Sequence, residues 1–433
     1  MSSKIIQPKN INLDDLDPRI DWNRPLMAPG HMGVDFETRV DFRRLHKYRL
    51  SRAQQALSNS DLSALILFDV NNIRYISSTK IGEWERDKYC RFALLIENQE
   101  PIVWDFGSAA YHHKLYCDWL NDNNCRSGML GMRGTVPPSA GLMKDHSEEI
   151  FDVLKSAGVA NDKVGIDVAE AAMMFELQKV GINLVDGQQV MLDAREIKNI
   201  DEITLLNQAA SMVDGVYHMM YEELKPGVRE NDIVAKANKM LYEMGSDDVE
   251  AINAISGERC SPHPHNFTDR YLRPGDQAFF DILQSFVGYR TCYYRTFNIG
   301  KANPEQRDAY KQCREWLDKA IELIKPGVST DTVASVWPKA EEFGFPSEMD
   351  AFGLQFGHGL GLAIHERPII SRLVSLKDPM EIKTGMVFAL ETYCPAKDGV
   401  SAARIEEEVV VTDKGCKLIS LFPADDLPIA NEY

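Results

Sequence analysis

The chain has 433 residues, of which 44% are hydrophobic and 26% are charged, and its formal net charge is −17. This length exceeds what one hydrophobic core normally organises, so we expect two domains, and the composition excludes a largely disordered chain. The acidic charge disfavours nucleic acid and anionic lipid as partners and favours a small molecule or a short peptide.

The longest apolar runs, at residues 62–68 and 386–390, are much shorter than the roughly 20 residues that a membrane helix needs. The first 25 residues contain no continuous apolar region typical of a secretory signal, so we expect a cytoplasmic protein. The eight cysteines lack the dense spacing of a disulfide framework and include no CxxC pair. We therefore expect reduced thiols.

Residues 1–38 are rich in Pro, Asp and Asn and have no sustained periodicity, which predicts an N-terminal arm. Residues 41–57 then have the spacing of an amphipathic helix. The apolar runs LSALILFD, RFALLI, PIVWDF and KVGID predict strands, and residues 147–156 predict another helix. These elements indicate an α/β domain over residues 39–193.

A charged stretch precedes a long predicted helix that begins near Asp201 and Glu202, which we expect to cap it. This helix opens a second domain, residues 194–433. The tetrapeptide KPGV occurs at 225–228 and again at 325–328, each time between two helical stretches. The repetition predicts a domain made of two related α/β halves with a site between them.

Four strand-like or loop-like segments of the second domain carry ionisable residues in apolar surroundings. In the first, Asp281 and Cys292 flank a turn, so we expect them on paired antiparallel strands. A buried carboxylate at Asp281 needs a cation or hydrogen-bond donors. An ion pair of Asp281 with Arg290 or Arg295 is the alternative.

The second segment, FGHGLGLAIHERP, places glycines on both sides of His358, and His365 follows seven residues later. Glycines allow a close backbone approach, which favours presentation of an imidazole at a site, although a structural histidine is the alternative. In the third segment, an apolar strand over residues 386–390 ends on Glu391. A carboxylate there is costly unless a partner pairs with it.

The fourth segment, ARIEEEVVV, has strand alternation that places Arg404, Glu406 and Glu408 on one face. A solvated edge strand is the alternative interpretation. Taken together, the strand carboxylates and the histidine form an oxygen-and-nitrogen set suited to Mn, Co, Fe or Zn.

These segments, with NIRY at 72–75 and REIKNIDEI at 195–203, resemble the creatinase/prolidase/methionine aminopeptidase superfamily over roughly the whole chain. The resemblance implies a creatinase-like N-terminal α/β domain, a catalytic domain of the pita-bread fold with duplicated halves, and a homodimer. The metallopeptidases of this superfamily bind two divalent metals through Asp, Asp, His, Glu and Glu. Their pattern assigns those positions here to Asp281, Cys292, His358, Glu391 and Glu406.

Cys292 therefore stands where the pattern has its second Asp, and this departure leaves several interpretations open. A thiolate ligand would favour Zn, Co or Fe over Mn. Alternatively, the remaining four ligands hold a single metal, or the site has no metal and hydrolyses by histidine acid/base chemistry, as the resemblance to creatinase implies. Arg290 and Arg295 are also close enough in sequence to lower the pKa of a nucleophilic Cys292.

The resemblance implies roles for further residues. A histidine that handles a proton falls at either His265 or His263, with His265 preferred. His365 matches a histidine that contacts the substrate or its leaving group, and Arg404 matches an arginine before the final ligand. Trp84 is a candidate for substrate binding through its aromatic ring.

These residues predict a hydrolase that cleaves a small C–N bond substrate, namely an Xaa-Pro-like peptide, an amide or an amidine. A metal-activated water would attack, Glu391 would relay its proton, and His265 and His365 would stabilise the developing anion or protonate the leaving group.

A lyase is the runner-up, because the first domain is also similar to the dimethylsulfoniopropionate-cleaving branch of the superfamily. In a lyase, Trp84, Tyr89 and Trp104 would surround an onium group, with packing in the hydrophobic core as the alternative role for these aromatic residues. That branch has an additional Asp near the first ligand, where this chain has Leu283. A non-catalytic binding module is the third interpretation, and it is disfavoured because a binding module has little physical reason to keep so many costly polar groups.

Overall fold

The structure is a computed structural model that describes residues 40–82, 90–129 and 134–433. The predicted N-terminal arm, Trp84 and Tyr89 lie outside the described residues. The chain divides into two compact units, Phe42–Arg195 and Glu196–Tyr433, close to the predicted domain boundary. In the described part of the chain, no helix is both long and apolar enough to cross a membrane. All eight cysteines are described, and none forms a disulfide.

The first unit alternates helices and short strands, as its apolar runs predict. Its helices are α1 (Phe42–Ser58), α2 (Val70–Ser77), α3 (Gly107–Tyr116), α4 (Leu142–Ser156), α5 (Ala171–Lys179) and α6 (Gln188–Arg195). Its strands are β1 (Ala64–Leu67), β2 (Phe92–Ile96), β3 (Ile102–Asp105), β4 (Cys125–Ser127), β5 (Lys163–Ile166) and β6 (Asn183–Asp186).

The strands of the first unit form one mixed sheet in the order β4-β3-β2-β1-β5-β6. Strand β1 pairs antiparallel with β2 and parallel with β5. The core includes Ile66, Leu94 and Trp104 from the sheet and Ile150 from α4, all fully or almost fully buried. Trp104 stacks on Phe92 with ring centroids 5.0 Å apart, so it packs in the core rather than lining an onium site.

The second unit contains two helix pairs, each followed by a sheet. Its helices are α7 (Ile200–Glu223), α8 (Glu230–Glu243), α9 (Pro304–Glu322) and α10 (Thr330–Ala334). Strands β7 (Asp248–Ser256), β8 (Gln277–Phe286), β9 (Tyr289–Ile299) and β15 (Ile429–Ala430) form one sheet in the order β15-β9-β8-β7. The other sheet, in the order β11-β10-β12-β13-β14, contains β10 (Phe356–Gly359), β11 (Glu366–Ile370), β12 (Val387–Pro395), β13 (Ala402–Val411) and β14 (Cys416–Leu418).

The two KPGV segments occupy equivalent places in these halves, one between α7 and α8 and the other between α9 and α10. Gly227 donates its backbone N–H to the carbonyl of Leu272 at 2.9 Å, and Gly327 donates in the same way to Ile382 at 2.9 Å. Both glycines have positive φ, 90° and 85°, which favours glycine. The two halves therefore repeat the same order of elements, and they share an equivalent backbone hydrogen bond at the KPGV glycine.

Helix α7 begins where the sequence predicts, but its N-cap is Asn199, two residues before the expected Asp201. The side chain of Asn199 accepts hydrogen bonds from the backbone N–H groups of Asp201 and Glu202. Glu202 returns a contact by accepting from the backbone N–H of Asn199 at 2.9 Å. This reciprocal capping box satisfies N–H groups that the first helical turn leaves unpaired.

Two expectations about the second sheet are wrong. Strand β12 does not end on Glu391 but continues to Pro395, so this carboxylate lies in the middle of a buried strand. The alternative of a solvated edge strand for ARIEEEVVV is also wrong, because β13 lies between β12 and β14 and is buried along its whole length. Its carboxylates are therefore desolvated.

The two sheets of the second unit meet where β9 faces β13. Arg404 donates its backbone N–H to Thr296 Oγ1 at 2.9 Å across this seam. Arg295 also crosses it, because its Nη2 lies 2.8 Å from Glu407 Oε2 and both side chains are almost fully buried. Arg314 of α9 pairs with the other oxygen of Glu407 at 2.7 Å. Both carboxylate oxygens of Glu407 are therefore engaged by arginines where the two sheets meet.

Arg295→Met tests how much this buried pair stabilises the second unit. Removing one partner leaves Glu407 with less compensation in a desolvated place, so we expect the free energy of unfolding to fall by about 3 kcal/mol. Chemical denaturation monitored by circular dichroism measures the change. The exposed Arg307→Met on α9 is the matched control, and equal stabilities of the two variants would contradict the assignment.

Candidate metal centre and active site

Five buried side chains from five strands of the second unit converge on one place. Each of them is at most 6% exposed. They come from both sheets, in chain order Asp281 on β8, Cys292 on β9, His358 on β10, Glu391 on β12 and Glu406 on β13. The structure thus brings together all the side chains that the sequence assigns to a metal site.

Three of the five form a compact group of donors. Cys292, His358 and Glu406 each offer one ligand atom, and these atoms all lie within 4.8 Å of one another. His358 Nε2 is 3.8 Å from Glu406 Oε1 and 3.9 Å from Glu391 Oε1. Such spacing brackets a point that a metal ion fits, with sulfur, nitrogen and oxygen donors around it.

Glu406 gives an independent sign that a cation belongs at this point. Its side chain is fully buried, and among the described residues neither carboxylate oxygen has a hydrogen-bond partner. Burial, with Glu391 and Asp281 nearby, raises the pKa of Glu406 well above its usual range. A desolvated carboxyl group without donors requires a proton or a cation, so the residues present fit a divalent ion.

Burial also sets the state of His358. It lowers the pKa of this imidazole to about 3, with His365 adding to the effect. The ring is therefore neutral at physiological pH and keeps a lone pair for a metal. His358 Nδ1 lies 3.2 Å from the carbonyl of Gly359, which leaves Nε2 facing the two glutamates.

Asp281 is engaged by hydrogen-bond donors on both of its oxygens. Cys292 Sγ donates to Oδ1 at 3.3 Å, and Asn253 Nδ2 donates to Oδ2 at 3.1 Å. Asn253 lies directly opposite Asp281 in the pairing of β7 with β8. Burial raises the pKa of Asp281 despite these two bonds. The alternative interpretation, an ion pair of Asp281 with Arg290 or Arg295, is wrong, because these arginines pair with Glu250 and Glu407.

Cys292 has the surroundings of a buried ligand. Burial, followed by the charges of Asp281 and Glu406, raises the pKa of its thiol well above the usual range. Its backbone N–H donates to Glu408 Oε1 at 2.7 Å, which fixes the strand at this point.

The interpretation that Arg290 and Arg295 lower the pKa of this thiol is wrong, because their side chains pair elsewhere, with Glu250 and Glu407. Cys292 therefore lacks the electropositive environment that a nucleophilic cysteine needs.

Glu391 and Arg404 form an ion pair at the edge of the donor group. Arg404 Nη2 contacts Glu391 Oε2 and also donates to the carbonyl of Gly353 at 2.6 Å. The guanidinium lies over the ring of Tyr294, 4.3 Å from its centroid. Burial raises the pKa of Glu391 to about 7, and Arg404 opposes that rise. A carboxyl group with a pKa near neutrality is suited to accepting and releasing a proton.

The histidine loop before β8 places His263, rather than the preferred His265, against the site. His263 Nε2 contacts Arg404 Nη1, and the ring packs on Tyr393 with centroids 5.6 Å apart. His265 is more exposed, and its ring centroid lies 4.6 Å from that of His263. Burial lowers the pKa of His263 to about 2, and the charge of Arg404 adds to this.

His365 is exposed, and its ring centroid is 4.6 Å from that of His358. Sequence reasoning missed Asn253 as a partner of Asp281, because the asparagine lies in an unremarkable strand and only the β7–β8 register brings the two together. The contact of Glu408 with Cys292 was equally hidden, although alternation had placed Glu408 on the face that carries Glu406.

Comparisons with known proteins identify the family of both units. A model of the metallopeptidase family M24 matches residues 204–413, and a model of the creatinase/prolidase N-terminal domain matches residues 49–197. A probable dipeptidase PepE of Mycobacterium tuberculosis is 31% identical over 386 residues, which cover 87% of this chain and 94% of the relative. An Xaa-Pro dipeptidase of Pyrococcus furiosus is 29% identical over 280 residues, covering 63% of this chain and 76% of the relative.

Solved structures share the fold. The dipeptidase PepE from Mycobacterium ulcerans has a TM-score of 0.71 at 22% identity, over 90% of this chain and 99% of that chain. The prolidase from Pyrococcus furiosus has a TM-score of 0.65 at 22% identity, over 85% of this chain and 98% of that chain. The predicted creatinase-like and pita-bread architecture is confirmed.

The raised pKa values at the centre predict that metal binding releases protons. Burial raises the pKa of the Cys292 thiol and of the Glu406 carboxyl well above their usual ranges, and both groups ligate only when deprotonated, so the apparent affinity for Zn²⁺ rises with pH. Calorimetric titration in buffers of different ionisation enthalpy counts the protons released. We expect Cys292→Ser to release about one proton fewer than the wild type. The half-buried Cys416→Ser is the control, and an unchanged count for Cys292→Ser would contradict thiolate ligation.

Proposed function

The chain belongs to the metallopeptidase family M24, preceded by a creatinase/prolidase N-terminal domain, and from this premise we propose that it hydrolyses Xaa-Pro-type dipeptides at a single divalent metal ion. The observation that carries the proposal is the group of Cys292, His358 and Glu406 donors beside the Glu391–Arg404 pair. The substrate class is taken from the relatives, which are named as dipeptidases and Xaa-Pro dipeptidases.

Cys292, His358 and Glu406 would hold the ion, with Cys292 as a thiolate. A thiolate and an imidazole favour Zn, Co or Fe over Mn, which prefers oxygen donors. The metal site therefore differs in chemistry from an all-oxygen-and-nitrogen centre. The buried oxygens of Glu406, which have no hydrogen-bond donors among the described residues, support its part as a ligand.

The proposal of one ion rather than two follows from the contacts of Asp281. Asn253 donates to Oδ2, and the Cys292 thiol donates to Oδ1 until it loses its proton to become a ligand. A second ion ligated through Oδ2 would have to displace Asn253, which lies directly opposite Asp281 in the pairing of β7 with β8. We therefore place Asp281 outside the ligand set, where it orients the thiol before the metal binds.

A divalent ion bound by these residues would supply Lewis-acid chemistry, lowering the pKa of water and polarising the scissile carbonyl. Glu391 is the base in this scheme, and its Oε1 faces His358 while Arg404 holds its Oε2. The Oε1 atom accepts a proton from the attacking water as the water oxygen bonds to the carbonyl carbon. The C–N bond then breaks, and protonated Glu391 returns this proton to the leaving nitrogen.

The two histidine positions have different parts in this scheme. His263 is held against Arg404 and stays neutral, so it donates or accepts a hydrogen bond without carrying charge. His365 is exposed beside His358 and contacts the substrate or its leaving group. This assignment replaces the initial preference for His265, because His263 is the histidine that contacts Arg404.

Glu391→Gln tests the proton-transfer step. The amide keeps the size of the side chain but does not accept the proton, so we expect kcat for an Xaa-Pro dipeptide to fall by about 100- to 10,000-fold. Metal content, measured by elemental analysis, stays that of the wild type because other residues hold the ion. Exposed Glu341→Gln is the matched control. Loss of metal in step with activity would instead make Glu391 a ligand and would contradict its role as the base.

The same preparations separate hydrolysis from elimination. The wild-type protein, loaded with Zn²⁺ or Co²⁺, is incubated with Xaa-Pro dipeptides and, separately, with dimethylsulfoniopropionate. Release of free proline supports the proposed function. Release of dimethyl sulfide and acrylate, without peptide cleavage, would overturn it in favour of the lyase.

A further inference from the structure

Residues 360–366 connect β10 to the first residue of β11; this segment carries His365 and begins two residues after His358. It is short, and it leaves the sheet at a register shift between His358 and Gly359. The ring of His365 lies beside that of His358 at its far end. A short loop is mobile unless its own contacts hold it, so the exposed ring of His365 keeps a fixed position beside the buried ring of His358 only if such contacts exist.

Glu366, the residue after His365, makes these contacts from inside the segment. Its side chain is almost fully buried, and its Oε1 accepts the backbone N–H of Ala363 at 3.1 Å. The carboxylate also lies against Gly361, where an added Cβ would approach Oε2 to 2.5 Å. Only glycine therefore allows the carboxylate to sit inside the turn. Gly361 in turn accepts the backbone N–H of Arg290 at 2.8 Å, which connects the segment to β9.

The charge of Glu366 is offset by Lys198, which is 168 positions away in the chain. Lys198 Nζ lies 2.9 Å from Glu366 Oε2, and each side chain is 1% exposed. The backbone N–H of Lys198 donates to the carbonyl of Gly385 at 2.9 Å, so the lysine is itself held just before α7. A buried ion pair with this geometry fixes both of its partners.

We propose that Glu366 is a positioning residue that sets the place of His365 through the 360–366 segment, with Lys198 as its charge partner. The functional part rests on the proposed function, in which His365 contacts the substrate. Glu366 touches no reacting atom. It acts by holding the backbone of the turn, and its ion pair neutralises the charge that this task buries.

Two double variants isolate this role, because both remove the ion pair and differ only at the acceptor for Ala363. K198M/E366Q keeps an oxygen for that N–H, whereas K198M/E366L does not. We expect amides of the 360–366 segment to exchange with deuterium faster in K198M/E366L than in K198M/E366Q. We also expect kcat/KM for an Xaa-Pro dipeptide to be about 10- to 100-fold lower in K198M/E366L, with the same metal content.

The conservative Gln variant should restore both readouts toward those of the wild type, and exposed Lys239→Met serves as a surface control. Equal exchange in the two double variants would overturn the proposal whatever their activity. Equal deuterium exchange in the two double variants, together with an equally lowered kcat/KM, would also contradict the proposal. The loss of the ion pair would then explain the effect without the hydrogen bond to Ala363. If the wild type does not cleave these dipeptides, the proposed function fails, but the exchange comparison still tests Glu366.

Discussion

The centre of this protein depends on one electrostatic constraint, which is the burial of several carboxyl groups in the same small space. Asp281, Glu391 and Glu406 are all desolvated, and burial raises the pKa of each. Arg404 compensates Glu391, and hydrogen bonds compensate Asp281, but Glu406 has no hydrogen-bond donor among the described residues. In the proposed metal centre a cation satisfies Glu406, and Cys292 and His358 supply the other donors around the same point.

The surrounding fold holds these buried carboxyl groups in place through ion pairs and apolar packing. Strand β13 sorts its acidic residues by alternation, so that Glu406 faces the centre while Glu407 pairs with Arg295 and Arg314 on the opposite face. The apolar residues of that opposite face, including Ile405 and Val409, pack in the core of the second half. The site thus lies on one face of a strand whose other face is anchored by packing and ion pairs.

Much of this architecture was predictable from the sequence because it depends on local patterns. The glycines around His358, the apolar run before Glu391 and the repeated KPGV each carry their own signal, and all are found in the expected elements. The central position of β13 was not predictable, because alternation does not reveal which strands lie beside it. Long-range pairs such as Lys198–Glu366 were equally hidden, since no local pattern links residues so far apart. The departure at Cys292 is visible in the sequence, but its hydrogen bond to Asp281 depends on the register of β8 with β9.

X-ray absorption spectroscopy of the zinc-loaded wild-type protein tests the central claim most directly, because it reports the atoms bound to the ion. The account predicts a coordination shell with one sulfur at about 2.3 Å beside nitrogen and oxygen ligands, and loss of that sulfur in Cys292→Ser. A shell of nitrogen and oxygen alone in the wild type would contradict the account, since Cys292 would then be a buried thiol beside the metal rather than its ligand.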